Sequence, residues 1–436
     1  MPQSGDSRKA GTVVPAAGYS ILVPSPFLRK LPFWLASASA VAILLSIAVS
    51  QILLALALAA LLLSGLPLRW PRISIPLGLF LAWTLVALAF SPDPGFGIPT
   101  VRKMVVYLML LIVYSSIRTT AEGKWLALAW IGVGAITAGR GLFQYAADVA
   151  GARAAHQNFY NYYVADRIRG FMSHWMTFSG QELFVLLLVM AFLLFAPDIG
   201  KWRKVRWLGL LCAAVIGIAL VLSDTRSVWI AALIAGFYLL YQWKKWAGFA
   251  MPVLLGLGIL VAPGAVRERI QSLTNPHAET DSNAHRLIVW RTGWQMIKAH
   301  PIVGVGPEEI RKKQVFDAYL PADIHYPLPE GDYEHLHNIY IHYAAECGVP
   351  AALFLTGALV MALWDFRRAL GTLPPGRSNR RFLLQAAIAT AIGTMIAGIM
   401  EKNLGDTEVL TMFLAIMCLG YLAAKSSDSP GIAVTG

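Results

Sequence analysis

Long apolar runs follow one another along most of this chain, with short polar punctuation between them. A helix needs about 17 to 25 apolar residues to cross the hydrocarbon core of a bilayer. Twelve such runs are readable, at roughly 31–49, 52–68, 73–90, 98–117, 125–146, 178–196, 206–223, 227–243, 247–262, 337–363, 382–400 and 406–424. The pattern predicts an all-α polytopic integral membrane protein of about 12 transmembrane helices. The first two runs are divided by little more than Ser50-Gln51. As one helix of 38 residues they would be too long for a single crossing, so a tight hairpin is expected there.

The polar stretches set the remaining boundaries. Residues 1–30 are Gly/Pro/Ser-rich and basic, without the short apolar core of a signal peptide, and read as a cytoplasmic tail. Residues 31–262 hold the first nine helices, with an outer loop at about 147–177. Residues 263–336 form one large periplasmic loop containing short helices, 337–424 the last three spans, and 425–436 a second cytoplasmic tail. Inside the large loop, Leu287, Trp290, Trp294 and Ile297 recur at helical spacing among Arg286, Arg291 and Lys298. That stretch, His285 to His300, is expected to pack between the membrane surface and the protein. Pro301 stops it, and Gly304-Val305-Gly306-Pro307 makes a turn.

Composition sharpens this picture. The chain is 57% hydrophobic and 14% charged, where a soluble protein carries about one quarter charged residues. Its three cysteines, Cys212, Cys347 and Cys418, all lie in apolar runs and read as small core residues. A net charge of +12 raises the question of nucleic acid, and the distribution of that charge answers against it. With the N-terminus inside, 20 of the 36 Lys and Arg residues collect in the inner segments, as membrane topology demands, and both termini are cytoplasmic. Arg102, Lys103, Arg226 and Lys402 instead fall at outer boundaries, and Arg153, Arg167 and Arg169 in one outer loop. Cations kept outside against the usual bias suggest an anionic ligand, although long outer loops escape that bias anyway.

Candidate chemistry concentrates between Glu334 and Pro350. His335 and His337 precede an apolar run, Asn338 is placed to cap its helix, and Glu346 is an acid inside it. His335, His337 and His342, with His325, Asp332 and Glu334, can be read as metal ligands, but His342 falls at an unhelpful helical offset. The alternative is a general base: an imidazole near its ordinary pKa accepts protons at neutral pH. Arg226, in Leu222-Ser223-Asp224-Thr225-Arg226-Ser227, and Arg286 suit bidentate clamping of phosphate. An ion pair with Asp224 is the plainer reading of Arg226. Arg167-Ile168-Arg169 runs on to His174 beside Phe159, Tyr160, Tyr162, Tyr163 and Trp175, which make an interfacial belt or a sugar-stacking surface. There is no Gly-rich phosphate loop after a strand and no internal repeat, and no metal or organic cofactor is expected.

Three motifs together resemble the O-antigen ligase and polymerase superfamily. They are His337-Asn338-x-Tyr340 followed by Glu346-Cys347-Gly348-Val349-Pro350, then Arg286-x-x-x-Trp290 followed by His300-Pro301-x-x-Gly304-Val305-Gly306, and Ser223-x-x-Arg226. Thr225 stands where many members have Ser, and the motifs cover about 170–365. The resemblance implies a metal-independent transferase with a GT-C-like core, working on the outer face of a bacterial inner membrane. Its donor would be a glycan on undecaprenyl diphosphate, and a ligase would pass that glycan to a sugar hydroxyl of the lipid A core. By position, His337 would be the catalytic base and Arg226 and Arg286 would bind the pyrophosphate. Arg102, Lys103, Arg169, His174, Arg291, His335, Asn338, Tyr340 and Glu346 would support them. The other readings are a polymerase or a protein O-oligosaccharyltransferase of the same superfamily, or a membrane transporter. A transporter would place polar groups near the midplane, whereas these charges gather at the outer boundary.

Overall fold

The computed structural model describes residues 26–159, 162–163, 166–198, 203–260, 282–326, 328 and 334–425. Most of the 1–30 tail, Tyr160 and Lys201, much of the 263–336 loop including Asp332, and residues 426–436 lie outside the described residues.

Every regular element among the described residues is a helix. In chain order these are α1 (Pro26–Ala42), α2 (Ile47–Leu63), α3 (Ser74–Ala89), α4 (Ile98–Lys103), α5 (Leu108–Ser116), α6 (Thr120–Ala154), α7 (Trp175–Phe195), α8 (Arg203–Leu222) and α9 (Arg226–Trp243). Then follow α10 (Lys245–Leu260), α11 (Ser282–Ala299), α12 (Lys313–Ala318), α13 (Ile339–Cys347), α14 (Val349–Gly371), α15 (Asn379–Ala397) and α16 (Thr407–Lys425). Among the described residues, six helical segments are long and apolar enough to cross a membrane: Ile98–Ser116, α6, α7, α8, α14 and α16. The described residues are thus all helical and carry the long apolar helices of an integral membrane protein.

Burial sorts centre from rim. In α7 and α16 the apolar windows are 78% and 83% enclosed by protein, against 22% in α8. α15 packs on α7, α9 and α16, so these four helices make the centre of the bundle. With no water available between them, polar side chains at that depth must find partners within the protein. Glu182 takes the Thr137 hydroxyl, Gln181 donates to the Ile43 carbonyl, and the Tyr238 hydroxyl donates to Gln385 at 2.7 Å. The first and third each join two helices and the second ties α7 to the turn after α1, at about 0.6 to 2 kcal/mol per bond.

Two expected boundaries move. The hairpin between the first two runs turns at Ile43–Ser46, not at Ser50-Gln51. Ser46 caps α2, while Ser50 lies buried inside it, exchanging hydrogen bonds of 2.8 Å with Ser39 across the hairpin. The run at 337–363 is two helices, α13 and α14, broken at Gly348. Gly348 has φ +84°, and a Cβ there would lie 1.9 Å from the Ile302 carbonyl oxygen. The reason is a backbone docking: Val349 N–H donates to Pro301 O, Val305 N–H to Ala345 O and Gly306 N–H to Glu346 O. The Pro301–Gly306 motif is thereby held against the Glu346–Gly348 motif, its turn carrying Gly304 at φ +70°.

Gly348→Ala combines a penalty of about 1 to 3 kcal/mol for its extended positive-φ backbone with a backbone clash that must push this loop away. The expected result is a lower thermal midpoint of the detergent-solubilised protein together with poor membrane yield. An unchanged melting curve would contradict this account of the break.

Candidate active site

A helix leaves its last carbonyls without intrahelical donors, and a buried helix end must find them elsewhere. The end of α15 does so by gathering other elements. The Tyr340 hydroxyl donates to Met395 O, Asn403 Nδ2 to Thr394 O, Ile339 N–H to Gly398 O, Asn338 Nδ2 to Ile399 O and Arg286 Nε to Met400 O. The Asn338 Oδ1 meanwhile accepts from the Tyr340 and Ile341 N–H groups and caps α13. One helix end thus fixes the histidine segment before α13 and the arginine of α11.

The next residue, Glu401, is the hub. Its Oε1 accepts from Arg286 Nη2 at 2.9 Å, its Oε2 lies 3.5 Å from His337 Nδ1, and the Ser227 hydroxyl lies 3.5 Å from Oε1. Its side chain is 8% exposed, those of Arg286 and His337 each 15%. Burial alone would raise the Glu401 carboxyl, but the nearby His337 and the charge of Arg286 outweigh it and hold the group below the usual carboxylate range. Arg226 opens α9 next to Ser227 and is itself buried, so it stands at the same helix end. His337 adopts φ +46°, a left-handed conformation uncommon outside glycine. His335 stacks edge-on to it at 4.1 Å between ring centres, and His285 at 5.8 Å.

Beside this hub is a cavity of about 370 Å³, lined among others by Lys103, His174, Thr225, His335, Glu401 and Lys402. Burial, helped by the nearby His337 and Lys402, pushes the His335 imidazole well below its ordinary value, so it is neutral. His174 caps α7, its Nδ1 accepting from the Met176 N–H at 3.1 Å, which leaves Nε2 as its proton-bearing nitrogen. Asp406, on the same wall, accepts from the Thr177 hydroxyl at 2.7 Å; burial raises its carboxyl.

The residues singled out in the sequence divide clearly. His337 and Arg286 meet on one carboxylate, Arg226 lies one residue from Ser227, and Lys103, His174 and His335 line the cavity. Asn338 and Tyr340 tie the histidine segment to α15. Glu346 fastens the loop, accepting the Glu308 N–H at 3.1 Å and lying 3.0 Å from His342 Nε2. That pairing holds His342 fully buried beside Glu346. Arg169 and Arg291 are different: exposed, they pair with Asp166 and Asp323 respectively, the latter through two bonds of 2.8 Å. Arg102 is exposed on α4. Glu401 and Asp406 were missed by motif reading; the visible signal was a charged pair, Glu401-Lys402, closing an apolar run.

The arrangement offers an imidazole held by a carboxylate, two arginines at one helix end, and a polar cavity at the end of a membrane bundle. That suits deprotonation of a hydroxyl beside a group that departs with negative charge. No curated protein matches the chain at a significant level. The family model described as O-antigen ligase matches residues 211–356, the stretch that carries Arg226, Arg286 and His337. Over that stretch the chain is similar to the O-antigen ligase family, which supports membership of the O-antigen ligase/polymerase superfamily.

Proposed function

We propose that the protein is an O-antigen ligase, moving a glycan from undecaprenyl diphosphate to a sugar hydroxyl of the lipid A core. The observation that carries this reading is the convergence of His337 and Arg286 on Glu401 at the cavity wall. On this reading the bundle spans the membrane about twelve times with both termini cytoplasmic, and the cavity end faces the periplasm. Donor, acceptor and surrounding lipids are its partners.

The chemistry follows from the geometry. With Glu401 facing Nδ1, the His337 proton sits on that nitrogen, and Nε2 keeps the lone pair of a base. The acceptor hydroxyl gives its proton to Nε2 while its oxygen attacks the anomeric carbon. The bond from that carbon to the phosphate oxygen breaks on the opposite side, so configuration inverts and undecaprenyl diphosphate leaves as the anion. Glu401 stabilises the imidazolium that forms, as a buried carboxylate does beside a catalytic histidine. Arg226 and Arg286 supply positive charge where the phosphate gains negative charge.

Three substitutions test the roles. His337→Ala should lower transfer by about 10² to 10⁴ while the folded protein still reaches the membrane; wild-type turnover would remove the proposal. Arg226→Ala and Arg286→Ala should each lower the rate by about 10², with the loss concentrated in donor use when lipid-linked glycan is varied. Glu401→Gln keeps the shape and removes the charge, and a misplaced base costs about 10² in rate. The same variant has a pH signature. Because the Glu401 carboxyl is held below its unfolded value, its stabilising contribution is present above the ordinary carboxylate range and is lost as pH falls through the depressed value. The wild type should therefore lose thermal stability on acidification more steeply than Glu401→Gln, and equal slopes would count against the hub.

A further inference from the structure

Three cationic side chains line the large cavity: Lys103, Arg311 and Lys402. Arg311 is occupied, bridging Glu308 and Glu334. Lys103 and Lys402 are not: among the described residues neither ammonium has a hydrogen-bond or ion-pair partner. Three other lysines are paired, Lys124 with Asp198, Lys312 with Asp93 and Glu309, and Lys313 with Asp317, while Lys244 and Lys298 lie over tryptophan rings; Lys103 is exposed and Lys402 half-buried. The acids of the wall are largely engaged as well. Glu308 accepts from Thr100 and Arg311, Glu401 from Arg286, and Asp406 from Thr177, while Glu408 shares the wall. Two ammonium groups are thus left facing the cavity.

Their placement is built. A Cβ at Gly405 would come within 2.6 Å of Lys402 Cγ and Cε, so glycine there lets the lysine stem fold back over the turn. The Gly405 N–H donates to the Lys402 carbonyl at 2.8 Å and closes that turn. Lys103 and Lys402 also both line a second, smaller recess of about 50 Å³ whose other walls include Phe80, Leu81, Tyr107, Tyr343, Leu404 and Leu410. The lysines therefore stand where a polar cavity meets an apolar one. Arg226 and Arg286 adjoin the cavity through Thr225 and Glu401, on a different part of the wall.

We infer that Lys103 and Lys402 form a phosphate-binding subsite for a lipid-borne phosphate whose hydrocarbon chain departs along the Phe80–Tyr107–Leu410 recess. This rests on the proposed glycan transfer. It adds the lysines, as point-charge phosphate ligands, to the arginines that act on the reacting phosphate. A single prenyl chain suits the narrow recess, which makes a prenyl diphosphate the ligand class. The phosphorylated acceptor lipid carries the same headgroup chemistry on several acyl chains.

The test is direct binding to the purified full-length protein in detergent, with farnesyl diphosphate, farnesol and diphosphorylated lipid A as probes. Lys103→Gln and Lys402→Gln should each weaken farnesyl diphosphate about tenfold, the loss of one charge-assisted bond, and leave farnesol unchanged. Gly405→Ala, which displaces Lys402 without altering charge, should weaken it too, whereas Lys402→Arg should retain binding and the exposed Lys313→Gln should match wild type. Melting curves without ligand show that each variant is folded. Loss confined to lipid A would assign the subsite to the acceptor's phosphates, and unchanged binding of both phosphorylated probes would overturn it. His337→Ala separates the two proposals, because it should bind farnesyl diphosphate like wild type whatever its transfer rate.

Discussion

Glu401 is an ionisable group almost wholly withdrawn from solvent, and such a group persists only with its charge compensated. The compensation comes from two distant parts of the chain, the arginine of α11 and the histidine before α13. Neither segment reaches Glu401 through its own helix packing alone. Both are anchored on the terminal carbonyls of α15, which need donors for the same reason that Glu401 needs cations. Breaking one partner leaves an uncompensated buried charge, which costs about 3 to 5 kcal/mol, more than the pair itself contributes. The site is therefore coupled to the fold at a single helix end.

That coupling explains why the motifs sit where they do. The Pro301–Gly306 turn touches neither Glu401 nor His337; it grips the far end of α13 through Glu346 and the backbone at Gly348. α13 is then held at both ends, by Asn338 and Tyr340 at its start and by the docked loop at its finish. A nine-residue helix has little stability of its own, so its position depends on those two anchors. The left-handed backbone at His337 is a consequence: the chain must turn sharply between a histidine aimed at Glu401 and an asparagine aimed at α15.

The long helices were legible because a bilayer-length apolar run has few alternatives to helix. Their ends were less so. Ser46 and Ser50 are the same residue type four positions apart, and only the partner Ser39 across the hairpin decides which one turns. The site was legible in part for a related reason. Arg286 and Arg291 read alike in a linear motif, yet five residues advance a helix by about 140°, so one faces the bundle and the other pairs with Asp323 outside. Glu401 was hidden because an acid next to a lysine at the end of an apolar run is also what a membrane boundary looks like. Nothing local says that the neighbouring lysine is not the partner of Glu401.

The division between lysines and arginines has a physical logic. Arginine's planar fork keeps its charge and geometry when buried, which suits Arg286 spanning a carboxylate and a carbonyl behind the wall. Lysine's ammonium is a compact charge on a flexible stem, and Lys103 and Lys402 keep it in the open cavity, where it can follow a phosphate that arrives and departs. A rigid charge placed at the reacting centre favours the transition state, since it need not reorganise as charge develops. On the proposed reading, a mobile one placed where the cavity meets the recess contributes mainly to capture and release of an anionic lipid. On that reading the two kinds of cation act on different steps of one passage, with Glu401 restraining the first kind and Gly405 giving the second its room.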